Sequence, residues 1–335
     1  MSTRTITIPS EFKERQDGYS WFLIALNASV VALSGIVAWH VDRWWAYLLA
    51  FILVGARGQA CYILQHEAMH NLLFRNIKTN ERVGVILSAF LGTQFYLGRK
   101  MHWNHHANVG NDDDPNRVFH DVTDRPPGRK IVGFFFFHLL GGRLIGLGQN
   151  LLGAVRGFLL KGGNKSAEAR QLPLIPARMT RIDLIALFMV QLVMLIGISL
   201  LSSPFVYVFF YVLPLSTLTA FFELLRSFSE HVVPGGANSE AEKKRRFYMA
   251  AGPVERFFIS QFDFHFHHVH HLYPNVATFK VRKLHRWLLD NDPDYASRYD
   301  ERPGYVATSW RYIRNLPFPG CGNGFPESDR RASSA

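Results

Sequence analysis

Four stretches of this chain are too long and too apolar for the exposed helices of a water-soluble domain: residues 21–41, 45–64, 182–200 and 205–222. They come in two pairs. Only Asp42, Arg43 and Trp44 separate the first pair, and Ser202, Ser203 and Pro204 break the second. The hydrocarbon core of a bilayer takes roughly 20 residues of helix. Within lipid a helix satisfies its own backbone groups, which no other open-ended element does. The expectation is an all-α integral membrane protein with four transmembrane helices in two hairpins. A soluble helical protein with long core helices is the alternative.

The cationic residues orient this arrangement. Of 37 Lys and Arg, the hairpin tips hold only Arg43, and nearly all the others lie before, between and after the hairpins. The positive-inside rule then puts both termini and residues 65–181 in the cytoplasm. The first apolar run follows Glu11, Lys13, Glu14 and Arg15 and lacks a small-residue cleavage site, so it reads as a retained helix. The net charge of +11 follows from this topology. It favours anionic headgroups and an acidic protein partner. No nucleic-acid-binding motif accompanies the charge. Two cysteines, Cys61 and Cys321, make neither a disulfide framework nor a thiolate metal site.

Along the chain, residues 1–20 form a polar leader. A membrane domain of residues 21–290 includes cytoplasmic segments 65–181 and 223–290, and a C-terminal tail covers 291–335. The apolar stretch 84–97 is short and Gly-interrupted, which suits a re-entrant or interfacial segment. Residues 131–160 carry Arg143, Gln149 and Arg156 among Phe and Leu and suit surface-lying helices. Residues 161–178 read as a loop. The Gly/Pro/Ser-rich end from about residue 315 reads as disordered.

The histidines carry the chemistry. His66 and His70 follow the second apolar run. His102, His105 and His106 lie in KMHWNHHANVG, His231 follows the fourth run, and His267, His270 and His271 lie in FHFHHVHHLYP. Spacings of three and four put side chains on one helical face. Neutral imidazole binds iron, copper, zinc and nickel. Nine nitrogen donors exceed the needs of one tetrahedral zinc and suit two metals of higher coordination number. All the clusters fall on the cytoplasmic side of a topology drawn without them. His40, His120, His138 and His285 fit no cluster and read as structural or interfacial, and His265 and His268 are adjacent extras.

HEAMH at 66–70, HWNHHANVGNDDDPN at 102–116, RSFSEH before residue 232 and HHVHHLYPNV at 267–276 together resemble the membrane fatty acid desaturase family over residues 20–290. The resemblance implies a cytoplasmic helical cap whose box histidines, His231 among them, hold two irons. It implies an O2-dependent fatty acid or acyl-lipid desaturase that forms a C=C bond with two electrons from an external donor. Acyl-coenzyme-A desaturases carry Asn four residues before the histidine that matches His231, where this chain has Ser227, which bears on the acyl carrier. A hydroxylase or ketolase of the same family, acting on a carotenoid or small metabolite, would use the same ligands. No haem-binding HPGG and no dinucleotide fingerprint is present, so a ferredoxin-like or cytochrome b5-like donor is expected as a separate protein. His66–His70 also satisfies H-E-x-x-H, the signature of a zinc protease with Glu67 as base. That reading leaves most of the clustered histidines unexplained. A metal transporter would place its ligands near the bilayer midplane instead.

Glu67, Asp112, Asp113, Asp114, Glu230 and Asp263 lie near the boxes, where a carboxylate can fix a ligating imidazole through its other nitrogen. Arg57 lies deep in the second run, two turns before His66. An ionisable residue there marks function by default. It is expected either to pair with Glu223 or to meet the polar end of a substrate in its tunnel.

Overall fold

A computed structural model describes residues 6–109, 113–116, 127–145, 176–231, 247–298, 301–314 and 316. Its helices, in chain order, are α1 (Asp17–Val41), α2 (Trp44–Met69), α3 (Ile77–Phe90), α4 (Phe95–Asn108), α5 (Pro127–Leu139), α6 (Ala177–Leu201), α7 (Pro204–His231), α8 (Pro253–Phe258), α9 (His267–Leu272), α10 (Thr278–Asn291), α11 (Pro293–Arg298) and α12 (Tyr305–Ile313). The single described sheet is a parallel pair, β1 (Tyr248–Ala250) and β2 (Glu301–Pro303), with Tyr248 opposite Glu301. Asp112, His120, Gln149, Arg156, residues 161–175 and the tail from 317 lie outside the described residues, so the expectations placed on them do too.

Among the described residues, α1, α2, α6 and α7 are the four helices long and apolar enough to cross a membrane. At about 1.5 Å of rise per residue, the 25 residues of α1 or α6 exceed the thickness of a hydrocarbon core. Leu33, Ile36 and Val37 on α1, and Ile185, Phe188, Val193 and Leu200 on α6, stand exposed to the surroundings. Apolar patches of that extent need an apolar covering. α1 turns into α2 through Asp42, whose φ of 47° lies in the left-handed region that a short polar side chain tolerates. Small residues, Ala38, Ala46 and Ala50, bring the two helices together.

Two of these four helices outlast their apolar runs. α2 continues past residue 64 to Met69, and α7 past residue 222 to His231, and each extension carries a histidine. Below these extensions the two helices meet at a close crossing. A Cβ added at Gly55 would lie 2.6 Å from the Leu218 Cβ, and one at Gly58 would lie 2.2 Å from the Thr219 Oγ1. Thr219 Oγ1 in turn donates to the Gly55 carbonyl at 2.8 Å. Where lipid removes the hydrophobic drive, such small-residue contacts and interhelical hydrogen bonds hold helices together. Pro214 has no N–H and crowds the preceding turn. It falls between two wider π turns, Val208–Val212 and Leu215–Thr219. Each expansion turns the face that α7 presents beyond it.

The stretch 84–97 is split between two helices. Gly92, at φ 69°, makes the turn after α3, and α4 begins at Phe95. Asp183 on α6 caps α4 by accepting from Phe95 N at 3.1 Å and Tyr96 N at 2.9 Å. Asn80 on α3 fixes the chain beyond α2. Its Oδ1 accepts from Leu73 N at 3.1 Å, and its Nδ2 donates to the Ala68 carbonyl at 2.8 Å. α12 returns to α7 through an apolar cluster containing Phe228, Leu224, Tyr305 and Tyr312, to which α5 adds Ile131 and Phe135.

Gly58→Ala drives a methyl into Thr219 and Leu215, and overpacking of this kind costs about 1–3 kcal/mol. The expected result is a lower unfolding temperature in detergent, partly recovered when Thr219→Ala is added. Equal unfolding temperatures for Gly58→Ala and the parent would contradict the crossing described.

Candidate metal centre

Four segments deliver the nine clustered histidines. His66 lies on the last turn of α2 and His70 is the residue that ends it. His102, His105 and His106 share one face of α4, His231 closes α7, and α9 supplies His267, His270 and His271. Potential ligand atoms of His66, His70, His102, His106 and His270 all lie within 4.8 Å of one another. Those of His105, His231 and His271 meet the same limit, as do those of Glu230, His231 and His267. The first two groups adjoin, with the rings of His106 and His271 at 4.4 Å, and the last two share His231. Every one of the nine therefore enters a group of potential ligands.

The nitrogens face inward. His70 Nε2 lies 2.6 Å from His102 Nε2 and 3.0 Å from His270 Nε2, and His106 Nε2 lies 3.0 Å from His102 Nε2. A neutral imidazole offers one donor and one acceptor, so three rings cannot all satisfy one another at a single focus. Protonation is opposed. Burial, followed by the neighbouring histidines and arginines, pushes His70, His102, His267, His270 and His271 well below the usual imidazole range. His66 Nε2 and both ring nitrogens of His271 are buried with no protein partner. A donor set of neutral, converging, desolvated imidazoles is one that fits metal cations.

Carboxylates stand behind the rings. Asp114 Oδ1 lies 2.8 Å from His105 Nδ1, which leaves the Nε2 lone pair of that ring for a metal. Glu67 Oε1 lies 3.3 Å from His66 Nδ1, and Glu67 Oε2 accepts from Thr278 N at 2.9 Å. Glu67 is thus tied to the N-terminus of α10 on the Nδ1 edge of His66, opposite Nε2. A protease base would need to reach a metal-bound water instead. Glu230 accepts from Tyr305 Oη at 2.9 Å, forms an ion pair with Arg226, and lies 4.0 Å from His267 Nε2. Phe264 stacks on His267 at 4.6 Å, with the Arg226 guanidinium 4.6 Å from the Phe264 ring.

Two expectations need correction. Asp263 meets no box histidine, because it turns outward to an ion pair with Arg282. Arg57 does not pair with Glu223, which is engaged by Gln59 Nε2 at 3.0 Å and by Arg226. Arg57 donates instead to the Phe257 carbonyl at 3.0 Å and to Asn27 Oδ1 at 3.4 Å. The histidines outside the boxes have other roles. His268 Nε2 and His285 Nδ1 lie 2.8 and 2.6 Å from Tyr295 Oη. Burial lowers both His265 and His285 to about 3. His138 and His40 bond to carbonyls one turn back in their own helices.

Sequence reasoning missed Arg226, Tyr305, Thr278 and Asp183. Arg226 was legible, since it lies three residues after Glu223 and four before Glu230 on one helical face. Tyr305 and Thr278 reach the site from distant parts of the chain and leave no local trace.

Loss of an outer-shell carboxylate lowers metal affinity by roughly 10–100-fold. Asp114→Asn is expected to release metal at correspondingly lower chelator concentration, while Asp263→Asn releases it as the parent does. The same chelator midpoint for Asp114→Asn and the parent would show that Asp114 does not support His105.

Residues 42–303 match the family described as Fatty acid desaturase. The Dihydrorhizobitoxine desaturase of Bradyrhizobium elkanii is 24% identical over 86% of this chain and 77% of its own length. Shorter stretches resemble two others. The Delta(12) fatty acid dehydrogenase of Crepis alpina is 28% identical over 23% of this chain and 24% of its own. The sn-1 acyl-lipid omega-3 desaturase (ferredoxin) of Nostoc sp. (strain 36) is 23% identical over 39% and 38%. With four membrane-length helices, clustered histidines able to bind metal and a family match spanning most of its length, this chain is an oxidoreductase belonging to the fatty acid desaturase family.

Proposed function

We propose that the chain is an O2-dependent di-iron desaturase that removes two hydrogens from an acyl-type substrate at the cytoplasmic face of a membrane. The observation that carries this reading is the convergence of nine imidazoles, with carboxylates on the outer nitrogens of His66 and His105. Five imidazoles in one group and His105, His231, His267 and His271 in the other would hold two irons. When bound, that pair supplies the oxidation of an unactivated C–H bond, which no side chain can perform. Two substrate hydrogens, two donor electrons and two protons then balance the reduction of dioxygen to two waters.

The chain's own residues hold and insulate this chemistry. Asp114 and Glu67 keep the tautomers of His105 and His66 that leave Nε2 unprotonated. Tyr305 and Arg226 fix the Glu230 carboxylate beside His267. Phe264, wholly buried, closes one side of the cluster with its ring 5.0 Å from His66. In the proposed topology α1 with α2 and α6 with α7 form two membrane hairpins, both termini are cytoplasmic, and residues 21–290 form the membrane domain. Electrons come from a separate acidic donor, ferredoxin-like or cytochrome b5-like, drawn to the basic face.

A small metabolite is the second reading of the substrate. It is favoured by the relative that matches most of this chain, whose name refers to dihydrorhizobitoxine rather than to a lipid. Reconstituted turnover decides both points. The expected product is lighter than its substrate by two hydrogens. Its formation should require dioxygen and added donor, should weaken as salt screens the encounter, and should vanish in His105→Ala. A product heavier by one oxygen would replace desaturation with hydroxylation. Turnover that ignores both donor and salt would end the separate-donor reading.

A further inference from the structure

A pocket of about 560 Å³ opens where the start of α1, the middle of α2, α8 and the turn Ser260–Asp263 meet α10. Three arginines line it, Arg57, Arg256 and Arg282, against the single carboxylate of Asp263. Arg282 already holds that carboxylate, so the lining keeps an excess of positive charge.

Arg57 is the unusual member. It is only 8% exposed, and its partners are a carbonyl, an amide oxygen and the face of Phe257, 4.5 Å from the ring centre to the guanidinium carbon. Its Nε is buried with no partner. A guanidinium held inside a protein by neutral groups alone is short of an anion. Its planar fork matches the oxygens of a carboxylate or phosphate. Around it the lining is mixed: Phe257 of α8 stands exposed beside Arg256, and Tyr19 and Phe279 add aromatic rings. Guanidinium groups set among aromatic rings suit the acidic head of an amphiphile and the start of its apolar chain.

The pocket is coupled to the histidine cluster by two routes. Along α2, Arg57 precedes His66 by nine residues, about 13.5 Å of helical rise. Across the pocket wall, Phe262 and Asp263 have φ of 58° and 62°, a left-handed pair that non-glycine residues rarely form. They lead straight into Phe264, whose ring packs on His66 and His267.

We propose that this pocket receives the acidic head, a carboxylate or phosphate, of the substrate to be desaturated, gripped by Arg57 within and Arg256 at the rim. The assignment rests on the desaturase reading, yet its test needs no turnover. Labelled octanoate is equilibrated by dialysis against the full chain in detergent, with detergent alone as blank and with the metal content of each sample measured. Octanoate should bind, octyl phosphate should displace it and octanamide should not. A charge-assisted contact of this kind is worth roughly tenfold or more in affinity. Arg57→Met should therefore weaken binding by about that factor, Arg57→Lys by less, and the peripheral Arg256→Gln by less again, all with unchanged metal content. The proposal is overturned if octanamide competes as well as octyl phosphate, or if Arg57→Met and Arg256→Gln both bind octanoate as the parent does. Displacement by phosphatidylglycerol but not by octyl phosphate would also overturn it, by assigning the pocket to a bilayer lipid. Loss of metal from the parent, with octanoate binding retained, would count against the iron reading and not against this one.

Discussion

Nine imidazoles drawn from four separate segments share one largely buried region, and their nitrogen lone pairs point at one another. Such an assembly is unfavourable by itself: burial opposes the protonation of His70, His102, His267, His270 and His271 that would turn acceptors into donors, and neutral rings at one focus cannot all satisfy one another. The surrounding structure is arranged around that difficulty. Asp114 and Glu67 settle the outer nitrogens of two rings. The N-terminus of α10 holds Glu67, the Arg226–Glu230–Tyr305 network braces the end of α7, and cations at the focus would complete the coordination.

The helices that would cross the bilayer are also the arms that reach the site. α2 and α7 carry their helical backbone beyond the apolar runs, so His66 and His231 inherit the rigidity of long, closely packed helices. The close crossing at Gly55 and Gly58 sets how near those arms approach. The π turns around Pro214 decide which face of α7 turns inward. Membrane packing and site geometry are therefore one problem, and a change at Gly58 is felt at both.

Much of this was legible in the sequence because the relevant signals are local. An apolar run of membrane length shows in a short window, as do pairs of histidines three or four residues apart. Arg226 belonged to the same class and was overlooked. What was not legible depends on contacts between distant segments. Tyr305 meets Glu230 across 75 residues, and Asp183 caps α4 from 88 residues away. Charge and proximity in sequence misassigned two residues. Asp263 lies beside a box, but a left-handed turn sends it to Arg282. Glu223 had nearer partners than Arg57 in Gln59 and Arg226.

The central claim, that the converged imidazoles hold two irons, is tested most directly by the metal content of the protein after gentle purification in detergent, read with the effect of substitutions in each group. The account predicts two irons per chain, both lost when His105 or His270 is replaced by Ala while the helical content stays intact. One zinc per chain, kept in those variants and lost only with His66, would contradict it.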